Sequence, residues 1–261
     1  MIESKYELLT DNPIEFNGHP VYRIKALQDF GLVKKGDLGG YIESERNLGH
    51  LGDCWVYDNA VVYGDARVID NAGIHNNAKV YGNALVSKNA NIYDKSEVYG
   101  RALVSGYTKV KDTSKIFDDA RVLGCSLICM NSTVCHSTTV GGDAIICDSR
   151  ILNHTNVYGN ARVISATVCD NAVVSHESRI GENGYITKTT DYITLGPITN
   201  DNDYLTFYLN ANHEILVKTN MFDGPIEKLE RRFNQMGDNN EYKKLYMMSI
   251  NYAKQKLLGG K

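Results

Sequence analysis

One feature of the sequence limits the possible folds more than any other: a β-branched residue recurs at every sixth position. Val or Ile occupies sixteen consecutive positions of this kind, from Val56 to Ile146. Two later intervals are one residue shorter, and the register then continues to Ile180. A short, fixed period of this kind is typical of a repeat fold, in which similar units stack on one another.

Each hexad predicts a short strand followed by a corner. β-Branched residues favour strands, and a small residue, most often Ala, stands two positions before the next Val or Ile. Side chains alternate in a strand, so both of these residues point inward. The remaining positions are rich in Gly, Asn and Asp, which suit tight turns. Three hexads close one coil, so residues 56–180 predict about seven coils and a prism roughly 33 Å tall.

The two ends of the chain predict different structures. Residues 1–55 predict a β cap, in which Asn17-Gly18 turns a hairpin and Trp55 shields the first coil. The predicted solenoid extends over 56–190. Residues 191–261 predict a hairpin around Asn210-Ala211-Asn212, a helix from Pro225 to about Gln235, a break at Gly237-Asp238-Asn239 and a helix from about Glu241 to Leu258. On this second helix one stripe contains Tyr242, Leu245, Tyr246, Ser249, Tyr252, Ala253 and Leu257.

Composition excludes several classes of protein. The net charge of −3 argues against a general nucleic-acid binder. The sequence contains no long apolar run that predicts a membrane span and no signal peptide core, so we expect a cytoplasmic protein without membrane contact. Six Cys in 261 residues are too few for a disulfide scaffold, and we expect free thiols. All four Pro lie outside 56–180, as hydrogen-bonded coils require.

Several segments together resemble a known group of proteins. They are Gly39-Gly40-Tyr41-Ile42, the stretch from Gly52 to Ala60, and the following hexads of the Val-Tyr-Gly-Asn-Ala type. The chain thereby resembles the hexapeptide-repeat proteins of bacteria and phages that form left-handed parallel β-helices and are often labelled acyltransferases. Its C-terminal segment is similar to a module at the end of phage repeat proteins. The resemblance implies a mainly β fold with a small α+β C-terminal module, a homotrimer of parallel prisms and, in the acyltransferases, coenzyme A bound between prisms.

The 18-residue coil predicts which outward side chains lie above one another. One such column is aromatic and consists of Tyr63, Tyr81, Tyr99 and Phe117. This column has two interpretations. The rings pack on one another within a trimer interface, or they bind a planar ligand whose anionic group lies near Lys79, Lys115 or Arg101.

Three histidines in the coils are candidates for a general base: His75, His136 and His154. The alternative for each is an ordinary polar surface residue. Cys135, His136, His154 and Cys169 fall along one edge, but their spacing matches no known metal site, and we predict neither a metal nor a resident cofactor. Cys129 and Cys147 lie 18 residues apart, which places their Cα atoms within the range of a disulfide.

Three functional hypotheses follow. The favoured one is a non-catalytic, phage-type oligomer that captures a small nucleotide-like ligand between subunits and counters a host defence signal in the host cytoplasm. The second is an acyltransferase that uses acetyl-coenzyme A, with one of the three histidines as its base. The third is a structural module whose helical face at 225–258 binds a partner.

Overall fold

The structure is a computed structural model that describes residues 4–198, 203–236 and 241–259. The break predicted at Gly237-Asp238-Asn239 lies outside these residues. The main body is a parallel β-helix of triangular cross-section with about eight coils. A four-stranded antiparallel sheet and two helices follow it. This architecture confirms the predicted fold class.

The core of the β-helix is the predicted column of β-branched residues. Every Val or Ile of the hexad register from Val56 to Ile186 is fully buried, and the small residues between them are buried too. Where the small residue is Ser or Thr, its hydroxyl usually donates a hydrogen bond to a nearby backbone carbonyl. Ser132, for example, donates to the carbonyl oxygen of Cys129 at 2.7 Å. Such bonds satisfy buried polar groups that would otherwise destabilise the fold.

Three parallel sheets form the faces of the prism, named here in chain order. Face one contains Leu38–Ile42, Val61–Val62, Lys79–Val80, Glu97–Val98, Lys115–Ile116, Thr133–Val134, Arg150–Ile151, Thr167–Val168 and Tyr185–Ile186. Face two contains Arg67–Val68, Leu85–Val86, Leu103–Val104, Arg121–Val122, Thr139–Val140, Asn156–Val157 and Val173–Val174. Face three contains Trp55–Val56, Gly73–Ile74, Asn91–Ile92, Lys109–Val110, Leu127–Cys129, Ile145–Cys147, Arg162–Ile164 and Arg179–Ile180.

Corners form because one residue in each hexad adopts a positive φ. At the corner between faces two and three this residue is Gly in four successive coils, Gly106, Gly124, Gly142 and Gly159. A Cβ atom on Gly124 would lie 2.6 Å from the carbonyl oxygen of Gly142 in the next coil. Glycine is therefore required here both for its dihedral angles and for the close approach of neighbouring coils.

The N-terminal residues cover the open end of the solenoid. Tyr6–Phe16 and His19–Ala26 form an antiparallel hairpin whose turn is Asn17-Gly18, as predicted. The hairpin joins face one through Leu38–Ile42, and a short 3-10 helix spans Glu45–Asn47. Trp55 is buried in this cap, where its ring packs edge-on against Phe30 at 5.3 Å. Covering the first coil in this way protects exposed strand edges from aggregation.

The C-terminal module has its own apolar core. After the 3-10 helix Thr189–Asp191, its sheet consists of Tyr192–Leu195, Leu205–Leu209, Ile215–Lys218 and Asp223–Pro225. Helices α1 (Ile226–Asn234) and α2 (Glu241–Leu258) pack on this sheet. The hairpin and both helices confirm the predicted elements.

The predicted stripe on α2 is only partly buried. Tyr246, Ser249 and Ala253 lie within the module, together with Ile250. Tyr242, Leu245 and Tyr252 are exposed, although the sequence grouped them with the buried residues. The apolar period was correct, but the sheet covers a narrower sector of the helix than the sequence pattern includes.

Among the described residues, no helix has both the length and the apolar character needed to cross a membrane.

The glycine corner gives a stability prediction. Replacing Gly124 (φ +76°) with Ala forces a Cβ into the next coil, and we expect a loss of about 1–3 kcal/mol in the free energy of unfolding. Gly141→Ala is the matched control, because nothing lies within 4 Å of its Cβ position. Urea denaturation followed by circular dichroism measures both variants. Equal stabilities for the two would contradict this account of the corner.

Candidate functional site

The aromatic column on face one forms a continuous stack. The rings of Tyr63, Tyr81, Tyr99 and Phe117 follow one another at centroid distances of 4.8–5.0 Å, with interplanar angles of 9° or less. Both faces of the Tyr81 and Tyr99 rings are therefore covered by neighbouring rings. At the upper end, Phe16 and His19 of the N-terminal hairpin contact Tyr63. The column packs neighbouring coils against one another, and the faces of its two inner rings are closed to a ligand.

The cation beside this column is also engaged. Lys79 forms an ion pair with Glu97 at 3.7 Å and lies over the ring of Phe16. Glu97 in turn accepts a hydrogen bond from the Tyr81 hydroxyl at 2.9 Å. Burial, with the Glu97 carboxylate, raises the pKa of Tyr81. Lys115 is exposed on the same face. Several of the predicted ligand-binding residues therefore already contact other side chains of the protein: the aromatic rings stack on one another, and Lys79 pairs with Glu97.

A second stack encloses His75 on face three. Its ring lies between Tyr57 and Tyr93 at 4.4 and 4.5 Å, nearly parallel to both. The Nε2 atom of His75 is 2.9 Å from the side-chain oxygen of Asn91. Burial lowers the pKa of His75, which favours the neutral imidazole. These contacts give His75 a structural role and leave little of the ring for a substrate.

An open groove runs along the corner between faces one and two, called here the first corner. Its volume is about 1370 Å³, and it crosses the coils from Asn83 to Thr189. Three residues predicted from the sequence, Arg101, His136 and His154, all line this groove. The remaining lining residues are Asn83, Gly100, Asp118, Asp119, Ser137, Asn153, Asp170, Asn171, Thr187, Lys188 and Thr189.

The local sequence explains why side chains gather at the first corner. Its positive-φ position is glycine in the upper coils, at Gly64, Gly82 and Gly100. In the lower coils the same position carries Asp118, His136, Asn153 and Asp170, all with positive φ. Asp and Asn tolerate this conformation better than most residues. The change from glycine to polar side chains places hydrogen-bonding and titratable groups along the groove.

The upper part of the groove contains an ion pair between coils. Arg101 binds Asp119 through two hydrogen bonds of 2.6 and 2.7 Å. The Arg101 guanidinium lowers the pKa of the Asp119 carboxyl. Both groups are exposed, so water screens the pair and it adds little to stability. An incoming anion has access to the Arg101 guanidinium, which partly remains at the surface.

The two histidines of the groove have different surroundings. His136 accepts the backbone N–H of Asn153 at Nδ1, 3.2 Å away, and its Nε2 lies 4.0 Å from a carboxylate oxygen of Asp118. His154 is exposed, and within the described residues its imidazole has no hydrogen-bond partner. The two rings therefore differ: His136 is fixed by neighbouring groups of the corner, whereas no described residue bonds to the His154 ring.

The four-residue Cys/His edge predicted from the sequence is only partly assembled. Cys135 and His136 are adjacent, with Sγ and Nδ1 3.2 Å apart. The third group beside them is Asp118, and His154 and Cys169 are not part of this cluster. Asp118 was not predicted as part of this cluster, although its position 18 residues before His136 places both in one corner column. Burial, with the negative Asp118, raises the pKa of Cys135 to about 11.

Two other thiols face each other on face three. Cys129 and Cys147 are partners in the parallel ladder, and their sulfur atoms lie 2.9 Å apart. All six cysteines are free thiols in the structure. Burial and the neighbouring Cys147 thiol raise the pKa of Cys129 to about 12, so it is protonated at neutral pH.

A short segment of the chain is similar to a known protein. No protein-family model matches the chain. The chain is similar to a protein of Escherichia coli (strain K12) named "Uncharacterized acetyltransferase YdcK", with 42% identity over 53 residues. This match covers 20% of the present chain and 16% of that protein, so the chain matches about a sixth of its relative's length. The similarity agrees with the resemblance to hexapeptide-repeat acyltransferases, and the phage-like nature of the C-terminal module stays a prediction.

The stacked position of His75 gives a prediction on pH. A folded-state pKa below the unfolded value of about 6.5 means that the unfolded chain binds more protons. His75 therefore contributes to the stability of the folded state above about pH 6.5. This contribution is lost as the pH falls toward the pKa that His75 has in the folded state. NMR titration of the His75 ring protons should give a midpoint below 6.5. The variant His75→Phe should lose less stability than the native chain on acidification.

Two results would count against this interpretation of His75. One is an NMR midpoint at or above the value of a histidine in an unfolded peptide. The other is an identical acid-side loss of stability in the native chain and the phenylalanine variant. The variant keeps an aromatic ring between Tyr57 and Tyr93, so it changes the titration while preserving the stack.

Proposed function

We propose that this chain is an acyltransferase that takes the acyl group of an acyl-coenzyme A, with His154 as the general base. The observation that carries the proposal is the exposed imidazole of His154 on the wall of an open polar groove, where no described residue bonds to its ring. The local similarity to a protein named as an acetyltransferase supports the same class of reaction.

The proposed reaction needs one proton-transfer group beside the acceptor. The neutral His154 imidazole accepts the proton of an acceptor hydroxyl or amine while the acceptor atom attacks the thioester carbonyl carbon. The carbon–sulfur bond then breaks, and the departing thiolate takes the proton back from the imidazolium. The products are an acyl ester or amide and free coenzyme A. Arg101, which is paired with Asp119, and Lys188 lie at opposite ends of the groove and can contact an anionic donor that lies along the corner. Three aspartates, Asp118, Asp119 and Asp170, line the same groove.

A single prism leaves the groove open on one side. We infer that a second copy of the chain supplies the missing wall, in the trimer of parallel prisms that the resemblance implies. A cleft between prisms excludes water from the thioester more effectively than an open surface does.

A second candidate is the non-catalytic capture of a nucleotide-like ligand in the same groove. The observation that favours it is the pair of exposed cations, Arg101 and Lys188, which can receive phosphate groups. The aromatic column does not strengthen this candidate, because the inner rings of Tyr81 and Tyr99 cover each other. The proposed ligand therefore binds through its phosphates rather than between rings.

One experiment separates the two candidates. Purified protein is incubated with acetyl-coenzyme A and a panel of amines, amino sugars and alcohols, and the released thiol is measured. We expect turnover that falls about 100-fold or more in His154→Gln, since general-base catalysis contributes 10²–10⁴-fold. His176→Asn is the control: His176 is another exposed corner histidine, and Asn accepts its positive φ.

Calorimetry on the same protein completes the test. Binding of coenzyme A together with thiol release sensitive to His154 supports the acyltransferase. Thiol release at background level, with no binding of coenzyme A, contradicts it. In that case, binding of a cyclic or adenine nucleotide that weakens in Arg101→Ala supports the capture protein instead.

A further inference from the structure

The first corner also contains a cluster of potential metal ligands, which does not include the proposed general base His154. The side chains of Asp118, Cys135 and His136 converge, and one oxygen, one sulfur and one nitrogen atom lie within 4.8 Å of one another. The 18-residue coil places Asp118 directly above His136, and Cys135 precedes His136 in the chain. Residues from two neighbouring coils thus form one compact cluster.

The distances in this cluster approach those of a tetrahedral metal site. The Cys135 sulfur lies 3.2 Å from Nδ1 of His136, and an Asp118 oxygen lies 4.0 Å from Nε2 of the same ring. A zinc ion at 2.0–2.3 Å from each ligand separates tetrahedral ligands by roughly 3.3–3.6 Å. These two distances are to different nitrogen atoms of the ring, so an ion bound at Nδ1 requires the Asp118 carboxylate to turn toward that side. All three ligand atoms lie within 4.8 Å of one another, and the side chains of Asp118 and His136 are exposed.

The ligand types favour zinc over the common hard cations. Thiolate and imidazole are preferred by zinc, whereas magnesium and calcium select oxygen ligands. Cys135 is only 3% exposed, which protects its sulfur from solvent and oxidants. Asp118 and His136 line the groove, so the same site is accessible from solution.

We propose that Asp118, Cys135 and His136 bind a zinc ion whose fourth coordination position opens into the groove. Binding releases the Cys135 thiol proton to solvent, and the sulfur then coordinates as thiolate. The metal takes the His136 Nδ1 lone pair, which otherwise receives the Asn153 backbone N–H at 3.2 Å. The fourth position is left for water or a small ligand with an oxygen or nitrogen donor. This inference is independent of acyl transfer, because it concerns metal binding alone.

Cobalt(II) titration tests the proposal directly, since cobalt replaces zinc and reports thiolate ligation by a near-ultraviolet charge-transfer band. The titration uses metal-stripped Cys129→Ser/Cys147→Ser protein, which removes the facing thiols as competitors. We expect one equivalent of cobalt with that band. Adding Cys135→Ser should abolish the band. Asp118→Asn and His136→Asn should each weaken binding by roughly 100-fold, because even outer-shell changes cost 10–100-fold.

The controls keep the result interpretable. Asn suits the positive φ of both Asp118 and His136, and circular dichroism verifies the fold of each variant. Cys125→Ser removes an exposed thiol outside the cluster and should leave the band unchanged. X-ray absorption of the native chain with one equivalent of zinc should give one sulfur and otherwise nitrogen or oxygen ligands, without any substitution. Absence of the cobalt band, its persistence in Cys135→Ser, or a zinc shell without sulfur would each overturn the proposal.

Discussion

The structure depends on one constraint: neighbouring coils pair as parallel strands in register, so that each residue lies on its equivalent in the next coil. Val61 pairs with Lys79, Lys79 with Glu97, and the same order continues down face one. The ladder step of about 4.8 Å is close to the stacking distance of aromatic rings. Any residue type repeated at this interval therefore becomes a column of like side chains.

Columns of this kind account for most of the outward features of the molecule. Inside the prism these columns form a buried core of Val, Ile and small residues, and on the outside they form two aromatic stacks. Because the rings lie parallel to the coils, the inner rings of each stack are covered by neighbouring rings on both faces. The stack on His75 shows the same effect on a titratable group, since the tyrosine rings on both sides remove water from the imidazole. The columns of side chains on the faces of the prism thus stabilise the fold, whereas the groove lies at a corner.

The hexad period was enough to predict the coils, the aromatic column, the position of His75 and the facing Cys129 and Cys147. These features depend only on which residues share a register. Ring orientation and corner geometry depend on dihedral angles, which the period does not define. The sequence therefore missed the approach of Asp118 to Cys135. The sequence did place His136 and His154 at one corner, offset by one position: both line the groove, and Asn153 occupies the column of His136. On α2, periodicity identified an apolar stripe but not the width that the sheet covers.

In the proposed function, ligands bind in the groove of the first corner and not against the aromatic column of face one. A crystal structure of the chain grown with coenzyme A tests it most directly. The account predicts density for the coenzyme along the groove, within contact distance of Arg101, His154 or Lys188. Density that lies instead beside Tyr63, Tyr81, Tyr99 and Phe117, with the groove empty, would contradict it.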